Sequence, residues 1–217
     1  MSPYVELLFN GTLETLAMVA ASLFISALIG LPIGVILIIS KSGGIAENKR
    51  LYAILGWIVN MMRSIPFIIL MVLLIPFTRF IVGTSIGTLG TIIPLSISAA
   101  PFVARIVETS LAEIHPQLIE TIVAMGATPW QIIKKVYLSE AIPSLVRGIP
   151  IIAIALLGYS AMAGAAGGGG LGDIAIRYGY YNYRTDIMLV TIVILIIIVE
   201  LIQTIFNRLA KKCDKRK

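Results

Sequence analysis

The sequence predicts an all-α integral membrane protein with about five transmembrane helices plus two short cytoplasmic helices. Three observations predict it. Of 217 residues, 58% are hydrophobic and 13% charged, with a mean hydropathy of +0.98, beyond what a water-soluble domain of this length needs. The apolar residues gather into stretches of about 20 or more, the length a helix needs to cross roughly 30 Å of hydrocarbon without an unpaired backbone group. Lysine and arginine concentrate at alternate junctions between those stretches.

The first span runs from about Leu13 to Ser40. Inside it, Gly30-Leu-Pro-Ile-Gly34 offers a small-xxx-small surface, either for ordinary helix packing or for a seam between two copies of the chain. The second span runs from about Leu51 to Val82 with Pro66 and Pro76 inside it, and the third from about Thr88 to Glu108. The fourth covers Ile142 to Ala165, and the fifth Asp186 to Arg208. Lys41, Lys49 and Arg50 separate spans one and two, Lys134, Lys135 and Arg147 separate three and four, and a basic cluster follows five. Those segments are expected in the cytoplasm, with the N-terminus outside. Glu6 and Glu14 precede the first basic residue, Lys41, so the start lacks the pattern of a cleavable signal peptide and the first helix is expected to be retained. The other junctions carry only Arg79, and Arg177 and Arg184 beside Asp173 and Asp186. The last external loop holds Tyr178, Tyr180, Tyr181 and Tyr183, suited to the headgroup level, and a hinge candidate in Gly167 to Gly170.

The net charge of +6 could suggest nucleic acid, but six of the 17 basic residues lie between Arg208 and Lys217, a tail that marks membrane orientation instead. Cys213 is the single cysteine and His115 the single histidine, which leaves no disulfide and no multi-histidine metal site. No G-x-x-x-x-G-K-[ST] occurs, so ATP has no phosphate loop here. Gly167, Gly169 and Gly172 match G-x-G-x-x-G only formally, since no strand precedes them.

Charges at membrane depth need an account. Arg105 and Glu108 stand three apart and can face each other, and Arg63 either snorkels or lines the interior. Glu200 falls in the inner half of the fifth span, against another helix or an inward cavity; proton coupling is the less favoured role.

The connection from Ile114 to Pro143 is too long for a turn. Pro116 suits the first position of a helix ending near Met125, and Gly126 suits the left-handed residue that stops it. Thr128 then caps a second helix, with Pro129 in its first turn, Gln131 completing the box, and Lys134 and Lys135 toward its end. Two short helices meeting at a corner form either a rigid knob that a partner pushes or a pair lying on the lipid surface.

The spacing of Glu120, Ala124, Gly126, Val136 and Leu138 resembles the EAA loop of importer-type ABC permeases. It departs from that pattern at Thr121, Ile122, Val136 and Ser139. Arg63-Ser-Ile-Pro-Phe-Ile-Ile-Leu70, Ile75-Pro-Phe-Thr-Arg79, Ile81-Val-Gly-Thr-Ser-Ile-Gly87 and Ala99-Ala-Pro-Phe-Val-Ala-Arg105 resemble the methionine-uptake permease family. So do Ala124-Met-Gly-Ala-Thr-Pro129, Gly158-Tyr-Ser-Ala-Met162 and Tyr178-Gly-Tyr180.

The resemblance implies one importer transmembrane domain over residues 12–208, with a basic cytoplasmic tail over 209–217. It implies a non-catalytic inner-membrane subunit that pairs with itself, with two cytosolic ATP-binding-cassette subunits holding ATP and Mg2+, and with an external binding protein. This chain itself binds no cofactor. The expected cargo is methionine, as the L or D isomer or both, moved by alternating access. Glu120, Ala124, Met125, Gly126, Ala127, Thr128, Pro129, Val136 and Leu138 are then the ATPase-coupling residues.

A weakly polar path for a zwitterion points to Ser64, Tyr159, Ser160 and Met162 at kinked or glycine-flanked positions, with Gly167 and Gly168 as gate candidates. The rival readings are an ion-coupled secondary transporter of amino acids and a membrane scaffold. Against the first stand the missing internal repeat and the few paired buried ions; against the second stands the shaped cytoplasmic knob.

Overall fold

A computed structural model describes residues 3–213, and among them every regular element is helical. Four helices are long and apolar enough to cross a bilayer, and a bent pair raises the number to five. Asp214, Lys215, Arg216 and Lys217 of the expected tail lie outside the described residues.

Helix α1 spans Pro3–Ser40. Its 38 residues extend about 57 Å, well beyond a hydrocarbon core of roughly 30 Å. It lies along α5 (Gly87–Ala112). The glycines of the small-xxx-small motif form that contact: a Cβ on Gly30 would stand 2.6 Å from the Ala100 carbonyl oxygen, and one on Gly34 2.6 Å from that of Ala104. The motif is therefore consumed within the chain, not in a seam between copies, because two backbones this close leave no free glycine surface.

The single second helix expected over residues 51–82 is three helices: α2 (Lys49–Ser64), α3 (Phe67–Leu73) and α4 (Ile75–Val82). Ile65, forced from the helical region by Pro66, is extended at φ −78° and ψ 122°, and the chain turns by 100° there. A second interruption at Leu74 precedes Pro76, which sits in the first turn of α4.

Helix α5 is the centre of the bundle: 61% of its most apolar stretch is buried, against 11% for α11 (Thr185–Cys213) at the rim. Leu95, Val107 and Leu111 of α5 pack with Met18 and Ile38 of α1 and with Leu156 of α9 (Ile142–Ala165). An ionic clamp ties α2 to α5. The Arg105 guanidinium pairs with Glu108 and donates to the Gly56 carbonyl (3.2 Å) and to Asn60 Oδ1 (2.9 Å), while Tyr52 Oη donates to Glu108 Oε1 (3.2 Å). Two charges at membrane depth are thus neutralised by each other and by neighbours. Arg63 sits 5.5 Å from the centre of the Phe102 ring.

Between α9 and α11, where the sequence suggests a loop, the chain forms α10 (Gly170–Ile174) and a π-helical stretch over Ala175–Tyr181.

Candidate functional site

At one end of α5 and α9 the connection folds as an elbow. Pro116 opens α6 (Pro116–Ala124), with the exposed His115 just before it. Gly126, left-handed at φ +83°, closes α6: its N–H donates to the Val123 carbonyl (2.9 Å) and that of Ala127 to Ile122 (3.3 Å). This six-residue closure satisfies the last carbonyls of the helix and reverses the chain. Thr128 then caps α7 (Pro129–Ile132) reciprocally: Gln131 N–H donates to Thr128 Oγ1 (3.4 Å), and Thr128 N–H to Gln131 Oε1 (2.9 Å). A π-helical turn over Ile133–Tyr137, then α8 (Leu138–Glu140), leads into α9.

The elbow has a buried root and a bare tip. Ile119, Ile132, Val136 and Tyr137 belong to the same core as Leu111 of α5, and Ile122, Ala127 and Leu138 pack against it. Burial pushes the Tyr137 phenol above its ordinary pKa, so no charge enters the root. At the tip Met125 is 80% exposed and Trp130 69%, flanked by Leu118 and Val123. Single exposed apolar residues mean little, but four fall within 13 residues around one corner. Ala124, Gly126, Thr128 and Pro129 are exposed beside them. Glu120 is exposed too, and with Lys41 and Tyr137 it lines a cavity of about 330 Å³ between the elbow and the turn after α1. Leu118, Val123 and Trp130 escape the sequence reading, and Lys41 stands out there only as a marker of topology. A tryptophan beside the proline that opens a threonine-capped helix was the available signal.

At the other end of the bundle the glycine run is held on both sides. Thr91 Oγ1 of α5 donates to the Gly87 carbonyl (3.0 Å) and lies 3.4 Å from that of Gly168, and the Gly87 N–H donates to the Gly167 carbonyl (2.9 Å). From α1, Glu14 Oε2 accepts from the Gly170 N–H and Thr15 Oγ1 from the Leu171 N–H, both at 2.8 Å. Two polar residues 156 positions upstream therefore cap α10, which no local pattern could reveal.

The expected path residues separate. Tyr159 stacks on Phe67 of α3 with ring centres 4.9 Å apart and 9° between planes, just past the 100° break. Ser64, exposed at the end of α2, donates to the Asn60 carbonyl (3.0 Å). Met162 lies on the exposed face of α9 with Ile151 and Gly158. Ser160 is buried on another face, donating to the Leu157 carbonyl (2.8 Å). Glu200 is exposed on α11, in register with Gln203, Thr204 and Asn207, so one face of the C-terminal half of that helix is a polar stripe. Among the described residues no group of acidic, histidine or cysteine side chains could hold a metal ion.

The arrangement of the bundle and elbow matches that of solved proteins. The chain superposes with a TM-score of 0.97 and 51% identity, covering 99% of itself and 100% of the other chain, on a structure of "inward facing conformations of the MetNI methionine ABC transporter". A crystal structure of an amino acid ABC transporter, 21% identical with a TM-score of 0.72 over 99% of this chain and 95% of that one, shares the fold. In sequence it is 49% identical, over 97% of this chain and 94% of the relative, to the "Probable D-methionine transport system permease protein MetI" of Vibrio cholerae serotype O1. It is 55% identical, over 75% of each, to the D-methionine transport system permease protein MetI of Escherichia coli strain K12. Residues 30–216 match the model of the family described as "Binding-protein-dependent transport system inner membrane component". With that match covering most of the chain, and the elbow and broken second span in place, the protein is a multi-pass membrane protein that belongs to this family of transport-system inner membrane components.

Proposed function

We propose that this chain is the permease subunit of an ATP-driven importer of methionine. Two copies pair in the membrane, each carried on a cytosolic ATP-binding-cassette subunit that holds ATP and Mg2+, and an external protein delivers the amino acid. The observation that carries the reading is the elbow. A unit with its root in the bundle core and an apolar tip in solvent receives a push at Met125 and Trp130 and passes it to α5 and α9 without bending. The surplus of lysine and arginine at its end of the bundle supports a cytoplasmic elbow and an external N-terminus.

Closure of the ATPases then drives the elbows together and turns the helices from inward- to outward-facing, with the glycine run at the external mouth. The polar stripe through Glu200 supports pairing, since a carboxylate at that depth faces water or protein, not lipid, and the rim helix α11 offers it neither within one chain. Met162 and Gly158, on an open face of α9, and Tyr159 beside them line the path, with Ser64 at the break. Discrimination between L and D isomers lies largely with the delivering protein.

The test is reconstitution in vesicles with and without the ATPase and binding partners, following labelled methionine. Uptake that requires ATP and both partners is the expected result. Uptake by this chain alone, driven by a proton or sodium gradient, overturns the proposal.

A further inference from the structure

A cavity of about 330 Å³ lies where α6 and the π-helical turn of the elbow meet the ends of α1 and α5. Its volume falls within the roughly 300–1,000 Å³ of pockets that hold small molecules. Ile38, Leu111, Ile114 and Ile119 give it an apolar side, while Lys41, Glu120 and Tyr137 bring one cation, one anion and one phenol. Met125 and Trp130, the tip of the elbow, are not among its walls.

Tyr137 is the unusual member. It is 6% exposed, yet among the described residues its hydroxyl has no hydrogen-bond partner. Thr78 Oγ1 is the one buried side-chain polar atom, among those residues, that is both unpaired and sealed. The Tyr137 oxygen is therefore unpaired but still reachable, and the space the residue lines is this cavity. A nearly buried phenol without a partner marks a place that another molecule completes. Burial keeps it neutral, so it retains a proton to donate.

The two charges repeat the pattern. Lys49, Arg105, Arg177 and Arg184 each pair with a carboxylate nearby. Lys41 and Glu120 line one cavity and make no ion pair, with each other or with any other described residue. An anion alone would meet Glu120 there and a cation alone would meet Lys41, so each is disfavoured. A molecule that brings both charges satisfies both walls.

We infer that this cavity binds a small zwitterion, with a primary ammonium and a carboxylate or phosphate a few atoms apart. Lys41 and the Tyr137 hydroxyl donate to its anionic end, Glu120 accepts from its ammonium, and its apolar part lies against Ile38, Leu111 and Ile114. Seated there, it ties the base of the elbow to the end of α1. A free amino acid and the headgroup of phosphatidylethanolamine share this chemistry. The site makes no use of the transported solute, so its failure would leave the permease reading standing.

The test uses the full chain in the assembly extracted from membranes, stripped of lipid by detergent exchange. Two probes separate the sources. Phosphatidylethanolamine is offered with an equal amount of phosphatidylglycerol and the retained lipid is counted by native mass spectrometry; labelled leucine is followed by equilibrium dialysis. At least one probe should bind at one molecule per chain, and Lys41→Gln, Glu120→Gln and Tyr137→Phe should each weaken it about tenfold, the scale of one hydrogen bond to a charged group. Gel filtration of each variant controls for assembly. Retained phosphatidylethanolamine identifies a headgroup site, and bound leucine a site for a free amino acid. Lipid retained without preference for phosphatidylethanolamine counts as no binding. Binding of neither probe, or binding that survives all three substitutions in assembled protein, overturns the site.

Discussion

The elbow and the α9–α10 contact stand at opposite ends of the bundle, and both depend on glycine, but for opposite reasons. At the elbow Gly126 has nothing within 4 Å of where a Cβ would stand; only its backbone angle, φ +83°, demands glycine. Where α9 meets α10, at Gly164 and Gly172 on either side of the run, space is the constraint: a Cβ on Gly172 would stand 2.6 Å from Cα of Ala161, and one on Gly164 would collide with the backbone at Asp173, whereas Gly167, Gly169 and Gly170 in the run itself share the left-handed angle of Gly126. A glycine chosen for its angle makes a stiff corner that stands clear of the protein. One chosen for its size welds two helices together. The first suits a handle and the second a seal.

The sharpest way to break this comparison is Gly164→Val, which drives a side chain into the backbone of α10. Overpacking of about 3 kcal/mol or more is expected, read as loss of monodisperse protein in detergent; a normal yield removes the packing account. Next, Gly126→Val should leave a folded protein weakened by about 1–2 kcal/mol, seen as a lower midpoint on thermal unfolding, whereas Gly126→Asn, which tolerates the left-handed region, should restore most of it. Equal losses from both variants show that the angle is not the constraint.

How much of this was legible from the chain alone depends on the range of the interactions. The hydrophobic stretches and the Thr128–Gln131 cap are local in sequence, so hydropathy and spacing reveal them. Pro66 advertises a break, but its 100° turn is held by contacts such as Phe67 on Tyr159, 92 residues away, and reads as a mere kink in a continuous span. The small residues at Gly30 and Gly34 are evident; their partner on α5 is not. Likewise Glu14 and Thr15 look like ordinary first-turn polar residues until α10 is brought against them.

Two smaller effects sharpen the contrast. Thr128→Ala removes a reciprocal cap at an exposed corner and should cost about 1 kcal/mol, measured by the unfolding midpoint, with increased hydrogen exchange confined to residues 128–132. Glu14→Ala, at the sealed end, loses one bond to the Gly170 N–H and should cost less than about 1.5 kcal/mol. Its exchange signature should instead appear around residues 170–174, far along the chain from the substitution.

The most direct test of the elbow as the route of force is the number of methionine molecules taken up per ATP hydrolysed by vesicles carrying the whole complex, with wild-type chain or Gly126→Val. The variant is expected to hydrolyse ATP while its uptake per ATP falls at least about tenfold, the equivalent of roughly 1.4 kcal/mol of lost coupling. Uptake per ATP equal to that of the wild type, in an assembled complex, contradicts the account.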